Sequence, residues 1–86
     1  MPTISQFFGI LIRMYYDDHN PPRFHVIYGE YEATIEIATL EIIKGELPKR
    51  ALALTVEWAV IHRNELRHDW DLAVLHKPLN KIEPLE

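Results

Sequence analysis

Between Phe24 and Ile37 apolar residues fall on every second position, whereas beyond Pro48 they fall three and four apart. Phe24, Val26 and Tyr28 alternate with Arg23, His25 and Ile27. After Gly29-Glu30, Tyr31, Ala33, Ile35 and Ile37 alternate with Glu32, Thr34 and Glu36. A period of two sends successive side chains to opposite faces of a strand. The segment is therefore predicted to be a hairpin with one face buried and an acidic face outside. Past Pro48, a residue acceptable in a first helical turn, Ala51, Leu54, Trp58 and Ile61 join Leu52, Val56 and Ala59 in a broad apolar stripe at helical spacing. A stripe this wide suits a helix laid across a sheet. Strands first and helices afterwards indicate an α+β fold.

The remaining elements follow from punctuation. Gly9 to Tyr16 is rich in β-branched and aromatic residues and reads as a strand, ended by Asp17-Asp18-His19-Asn20-Pro21-Pro22. Adjacent prolines lack donors and fix φ, which stiffens the loop. Leu40 to Lys44 reads as a short further strand. Asn64 is a candidate N-cap for a second helix carrying Leu66, Trp70, Ala73 and Val74; a single helix bent near Arg63-Asn64 is the alternative. Trp58 and Trp70 are expected in the core. The expectation is an antiparallel meander of three to four strands followed by two C-terminal helices on one face. Residues 1–77 form this single domain, and residues 78–86, with Pro78 and Pro84, form an extended C-terminal arm. The arm is expected either to dock on its own domain or to be offered to a partner through Leu79, Ile82 and Leu85, for instance by adding to a sheet edge.

Composition narrows the partners. Eighty-six residues make one small domain, and a core of that size leaves stability marginal or dependent on a partner. There is no cysteine, which removes thiolate chemistry, disulfides and cysteine-ligated zinc. No apolar run is long enough to span a bilayer and no secretory signal is read at the N-terminus, so the cytoplasm is the expected compartment. A net charge of −4 disfavours a role in holding nucleic-acid phosphates. DNA is not an expected partner; RNA at a local basic site stays open.

The densest polar cluster is Asp17-Asp18-His19-Asn20-Pro21-Pro22-Arg23-Phe24-His25. A stiff loop between two strands would hold His19, Arg23 and His25 together with two carboxylates upstream. Three chemistries fit those residue types. His19 and His25 with Asp17 or Asp18 suit a divalent transition metal, although a His-x5-His spacing leaves a third ligand undefined, and no cofactor is expected. The same histidines suit general acid–base work, with Arg23 and Arg13 contacting a phosphoryl group, as in a metal-independent ribonuclease. The cluster also suits recognition of an acidic group on a protein partner. Against all three stands a plain turn followed by a half-exposed strand histidine. Arg13, inside an apolar strand, belongs on the exposed sheet face or beside a carboxylate such as Asp17. His62, Arg63, Arg67 and His68 read as a solvated helix end.

Blocks along the whole chain are similar to a known family. Met1-Pro2-Thr3-Ile4-Ser5-x-Phe7-Phe8-Gly9-Ile10, Asp18-His19-Asn20-Pro21-Pro22-x-Phe24-His25-Val26 and Tyr28-Gly29-Glu30-Tyr31-Glu32-Ala33 carry the likeness. So do Gly45-x-Leu47-Pro48, Glu57-Trp58-Ala59 and Lys81-Ile82-Glu83-Pro84-Leu85. The chain resembles the domain-of-unknown-function 4160 proteins. The resemblance implies a small cytosolic bacterial protein without an established activity, often encoded beside a second small family in a toxin–antitoxin-like arrangement. It draws attention to His19, Pro21, Pro22 and His25. Where the family often has a further histidine, this chain has Arg23, which counts against a metal and leaves anion recognition open. The combined expectation is a protein-interaction module, with a partner protein or a second copy bound through a sheet edge or the arm. An RNA-acting toxin and a metal-binding regulatory module are the rivals.

Overall fold

The computed structural model describes residues 2–86; Met1, which opens the first block of the family likeness, lies outside them. Five strands, β1 (Thr3–Phe7), β2 (Ile10–Arg13), β3 (Arg23–Tyr28), β4 (Tyr31–Glu36) and β5 (Ile42–Gly45), precede two helices, α1 (Lys49–Ile61) and α2 (Arg63–Val74). The strands form one sheet in chain order, each antiparallel to the next. The fold is α+β, with five strands rather than three to four. The additional strand, β1, escapes a period-two reading because its register shifts between Thr3 and Ser5, so Ile4 and Ser5 are both buried. The strand expected from Gly9 to Tyr16 is confined to Ile10–Arg13: Phe8 and Gly9 take positive φ in the turn from β1, and at the other end the chain has left the sheet by Met14 and turns at Tyr16 and Asp17. Leu40, also at positive φ, delays the last strand to Ile42.

Register sorts the side chains. Ile12 lies beside Val26, Val26 beside Ala33, and Phe24 beside Ile35, so these residues share the face that the helices cover. Together with Ile10, Met14 and Ile37 they are essentially inaccessible. Each such burial contributes roughly 1.5–3 kcal/mol of transfer free energy. Trp58 is completely buried among them, its ring 5.4 Å from Phe7 and 6.1 Å, edge-on, from Phe24. Gly45 closes β5 at φ +82, where a Cβ would overlap the Glu32 carbonyl oxygen. Gly45→Ala is therefore expected to cost more than about 1 kcal/mol. It should also open β5, which amide exchange at residues 42–45 would report; unchanged protection there would show the strand tolerates a side chain.

The helices correct several expectations. Pro48 is the N-cap of α1, one position before the first turn, and makes no side-chain cap. Helix α1 buries Ala51, Thr55, Trp58 and Ala59, while Ile61 is 64% exposed. Thr55 tolerates burial because its hydroxyl donates to the Ala51 carbonyl at 2.8 Å. The two helices are separate, yet no loop divides them: His62 alone, at φ −111 and ψ 23, is both the C-cap of α1 and the N-cap of α2. Asn64 therefore lies inside α2 and does not cap it. His62 Nδ1 lies 2.6 Å from Glu65 Oε1, so its side chain is engaged within the junction and is not free in solvent. Leu66, Trp70 and Ala73 are buried as expected, whereas Val74 is exposed. Among the described residues no helix is long and apolar enough to cross a membrane.

After α2 the chain reverses at His76 and runs without helix or strand back along its own domain. The reversal is closed by the His76 and Lys77 N–H groups, which donate to the Ala73 and Leu72 carbonyls, and beyond it three hydrogen bonds among the described residues hold the arm. Asn80 N–H donates to Asp69 Oδ1 (2.9 Å), Ile82 N–H to the Ile4 carbonyl of β1 (2.7 Å), and Trp58 Nε1–H to the Glu83 carbonyl (2.8 Å). Ile82 is 4% exposed in the core cluster, and Leu79 and Leu85 pack half-buried against it.

Candidate functional site

The face of the sheet away from the helices carries the polar cluster. Arg13, His25, Thr34 and Lys44 stand in register across β2, β3, β4 and β5. Two members of this row are buried although they lie on the open face: His25 is 9% exposed and Thr34 6%. The half-exposed histidine expected at this position is therefore corrected. Its cover comes from the chain between β2 and β3, where Tyr15 stacks on the His25 ring with centroids 4.1 Å apart and Asp18 reaches down to it.

His25 is engaged through both ring nitrogens. Nε2 meets Asp18 Oδ2 at 2.6 Å, and Nδ1 lies 3.3 Å from Thr34 Oγ1. An ionised carboxylate only accepts, so Nε2 carries the proton in this pair. Burial opposes the charged form of Asp18. The hydrogen bond from His25, that from the His19 backbone N–H at 2.9 Å, and the neighbouring His25 and Arg23 outweigh it, holding the carboxyl below its ordinary value. Arg23 fastens the same loop, donating from Nε to the Pro21 carbonyl (3.1 Å) and from Nη2 to the Asn20 carbonyl (3.0 Å). The diproline loop is thus clamped onto the sheet by a carboxylate–imidazole hydrogen bond, an aromatic stack and a guanidinium.

The predicted candidates separate in space. Asp18, His19, Arg23 and His25 do converge, lining with Thr34 and Lys44 a polar groove of about 450 Å³. Asp17 does not join them. Its side chain is 91% exposed, 3.8 Å from His76 Nε2, and it meets Asp18 and His19 only in a second groove of about 370 Å³, which Tyr15 and Tyr16 also line and from which Arg23 and His25 are absent. Arg13 occupies the exposed sheet face, as expected, with Nε donating to Thr3 Oγ1 at 3.4 Å rather than to Asp17. Among the described residues no group of three or more histidine, aspartate or glutamate side chains is arranged to hold a metal ion. Asp18 and His25 come together as a hydrogen-bonded pair, without Asp17 or His19 as further ligands. Of the arm residues, Ile82 faces this chain's own core, and Leu79 and Leu85 keep part of their surface free.

Sequence reasoning missed Thr34 and Lys44 as neighbours of His25. Alternation assigns Thr34 to the outer face, but only strand register sets it opposite His25. Asp69 and Ser5, both buried, were also missed. Asp69 follows Leu66 by three residues and precedes Ala73 by four, so helical phase places it on the buried face; nothing comparable marks Ser5.

The arrangement favours positioning and recognition over proton transfer. A histidine whose two nitrogens are held within the chain must give up one contact before it exchanges a proton with a substrate. The exposed side chains around it, the Lys44 cation and the His19 imidazole, can donate to an anionic or carbonyl-bearing partner, and the Glu32 carboxylate lining the same groove can accept.

The model of one family, Domain of unknown function (DUF4160), matches residues 9–71, from the turn before β2 to the last part of α2. No curated protein and no solved structure matches the chain.

Proposed function

We propose, for a chain that belongs to the DUF4160 family, that it is a protein-interaction module, one half of a toxin–antitoxin-like pair, which takes an extended segment of its partner onto the edge of β5. The observation that carries this reading is the unequal treatment of the two sheet edges. Strand β1 receives a backbone hydrogen bond from the chain's own arm, whereas among the described residues the backbone of β5 bonds only to β4. Strand β5 is largely exposed, with Ile43 at 41%. Ile43 falls where the register between β4 and β5 shifts and has no residue opposite it. An edge of four residues bearing Lys44 discourages indiscriminate pairing between sheets. It leaves room for a chosen strand, with main-chain bonds for affinity and Ile43 for an apolar contact.

The enzymatic reading draws less support, since His25 is committed to Asp18 and Thr34. Capture from the native host with the full chain as bait, followed by amide exchange on the complex, tests the proposal. A single small partner should protect residues 42–45 and should be lost with Ile43→Asp. A partner that leaves 42–45 exchanging freely, or that survives the substitution, would overturn the β5 assignment. Growth arrest on expression, abolished by His19→Ala with the fold intact, would favour an RNA-acting toxin instead.

A further inference from the structure

Two buried side-chain oxygens are without a partner among the described residues, Ser5 Oγ and Asp69 Oδ2. Both border the track of the C-terminal arm. Ser5, 6% exposed, lines a groove of about 280 Å³ between β1 and Lys81 to Pro84. Asp69, 1% exposed, lines a groove of about 260 Å³ between α2 and Asn80 to Ile82. An unsatisfied buried polar group costs about 1–3 kcal/mol, and natural interiors contain few of them. Here they coincide with one seat, and among the described residues the segment occupying it is held by three hydrogen bonds and the side chain of Ile82, helped by the half-buried Leu79 and Leu85.

From this we infer that the seat of the arm is a second docking site, built for an extended basic segment of a partner protein that displaces residues 79–85. The fixed parts of the seat supply what such a segment needs. The Ile4 carbonyl accepts a backbone N–H, the Trp58 indole donates to a backbone carbonyl, and the Ile82 pocket takes an aliphatic side chain. Charge sets the chemistry of the occupant. Lys81 leaves with the arm, and the groove beside α2 then presents Glu65 and Asp69 with His68 as its only basic residue. A guanidinium entering there gives Asp69 Oδ2 the donor that Asn80 does not. A second copy of this chain is a poorer occupant, because an exchanged arm leaves the same two oxygens unpartnered. The site is separate from the β5 edge and stands or falls independently of it.

The test uses the full chain. A tethered arm competes at millimolar effective concentration, so Ile82→Ala is introduced to weaken it, and Trp58 Nε1–H is followed by NMR. The probes are synthetic peptides of residues 78–86, one unchanged and one carrying Asn80→Arg. The arginine peptide is expected to shift the indole resonance saturably and to bind about tenfold more tightly than the unchanged peptide, a gain of about 1.4 kcal/mol. Asp69→Asn keeps an acceptor for the backbone at position 80 and should abolish that advantage. Equal affinity of the two peptides would overturn the proposal in favour of arm exchange between copies. No response of the indole to either peptide in the Ile82→Ala chain would remove the docking site altogether.

Discussion

Trp58→Ala is expected to remove a large share of the unfolding free energy measured in urea at 25 °C. Truncating a fully buried tryptophan costs about 3–5 kcal/mol, and a domain of this length holds roughly 4–13 kcal/mol in total. The residue also links three parts of the molecule. Its ring packs on Phe7 of β1 and Phe24 of β3, and its indole N–H holds the arm through the Glu83 carbonyl. Trp58→Phe separates these roles. It keeps an aromatic ring in the core, loses the hydrogen bond at about 1 kcal/mol, and should release protection of the Ile82 amide before the sheet melts. A Trp58→Ala chain that unfolds cooperatively with a loss below about 1.5 kcal/mol, under the range for such truncations, would show that the core repacks around the vacancy.

Asp18→Ala is expected to cost about 1–3 kcal/mol by leaving the buried Nε2–H of His25 without its acceptor, and to free the diproline loop from the sheet. The pH dependence identifies the source of the loss. The folded pKa of Asp18 lies below the ordinary carboxyl value of 3.8. Its contribution is therefore complete above 3.8 and disappears as pH falls through the lower folded value. Asp69 acts with the opposite sign. Burial pushes its carboxyl above 3.8, only partly offset by the Asn80 N–H and His68, with Glu65 adding to the rise. Its contribution is complete below 3.8 and is lost as pH rises through the raised value. The difference in unfolding free energy between wild type and Asp18→Asn cancels the Asp69 part. That difference should shrink as pH falls below 3.8. A difference that does not shrink would mean the Asp18 carboxylate is not stabilised by His25.

Both predictions concern residues whose roles were unequally legible. Trp58 could be placed in the core from its helical phase alone, because Ala51, Trp58 and Ala59 recur at the spacing of one helix face. Thr55 and Ile61 broke that reading in opposite directions. A hydroxyl that bonds back to Ala51 can be buried, and an isoleucine next to the His62 break points away from the sheet. Strand β1 was hidden by its bulge, since one shifted residue destroys the alternation that reveals a strand. The convergence of His19, Arg23 and His25 followed from the stiff loop and the strand start. The pairing of His25 with Asp18 rather than Asp17 did not, because the two carboxylates are adjacent and only the path of the loop selects one. Val74 and Asn64 were misplaced for a related reason: their environment depends on where α1 stops, and a single residue makes that junction.

By itself the sequence determined the class of fold, the sheet face that turns inward, the aromatic centre of the core and the loop that gathers the polar side chains. Those properties are periodic or local, and a period of two or of 3.6 is written in residue types a few positions apart. Tertiary structure alone decided that Thr34 and Lys44 flank His25, that the arm closes on β1 while the outer edge of β5 has no backbone partner among the described residues, and that among those residues Ser5 Oγ and Asp69 Oδ2 lie unsatisfied beneath the arm. Each of these joins residues nine or more positions apart through register or packing. Such contacts depend on how whole elements stack, which no short window of sequence encodes.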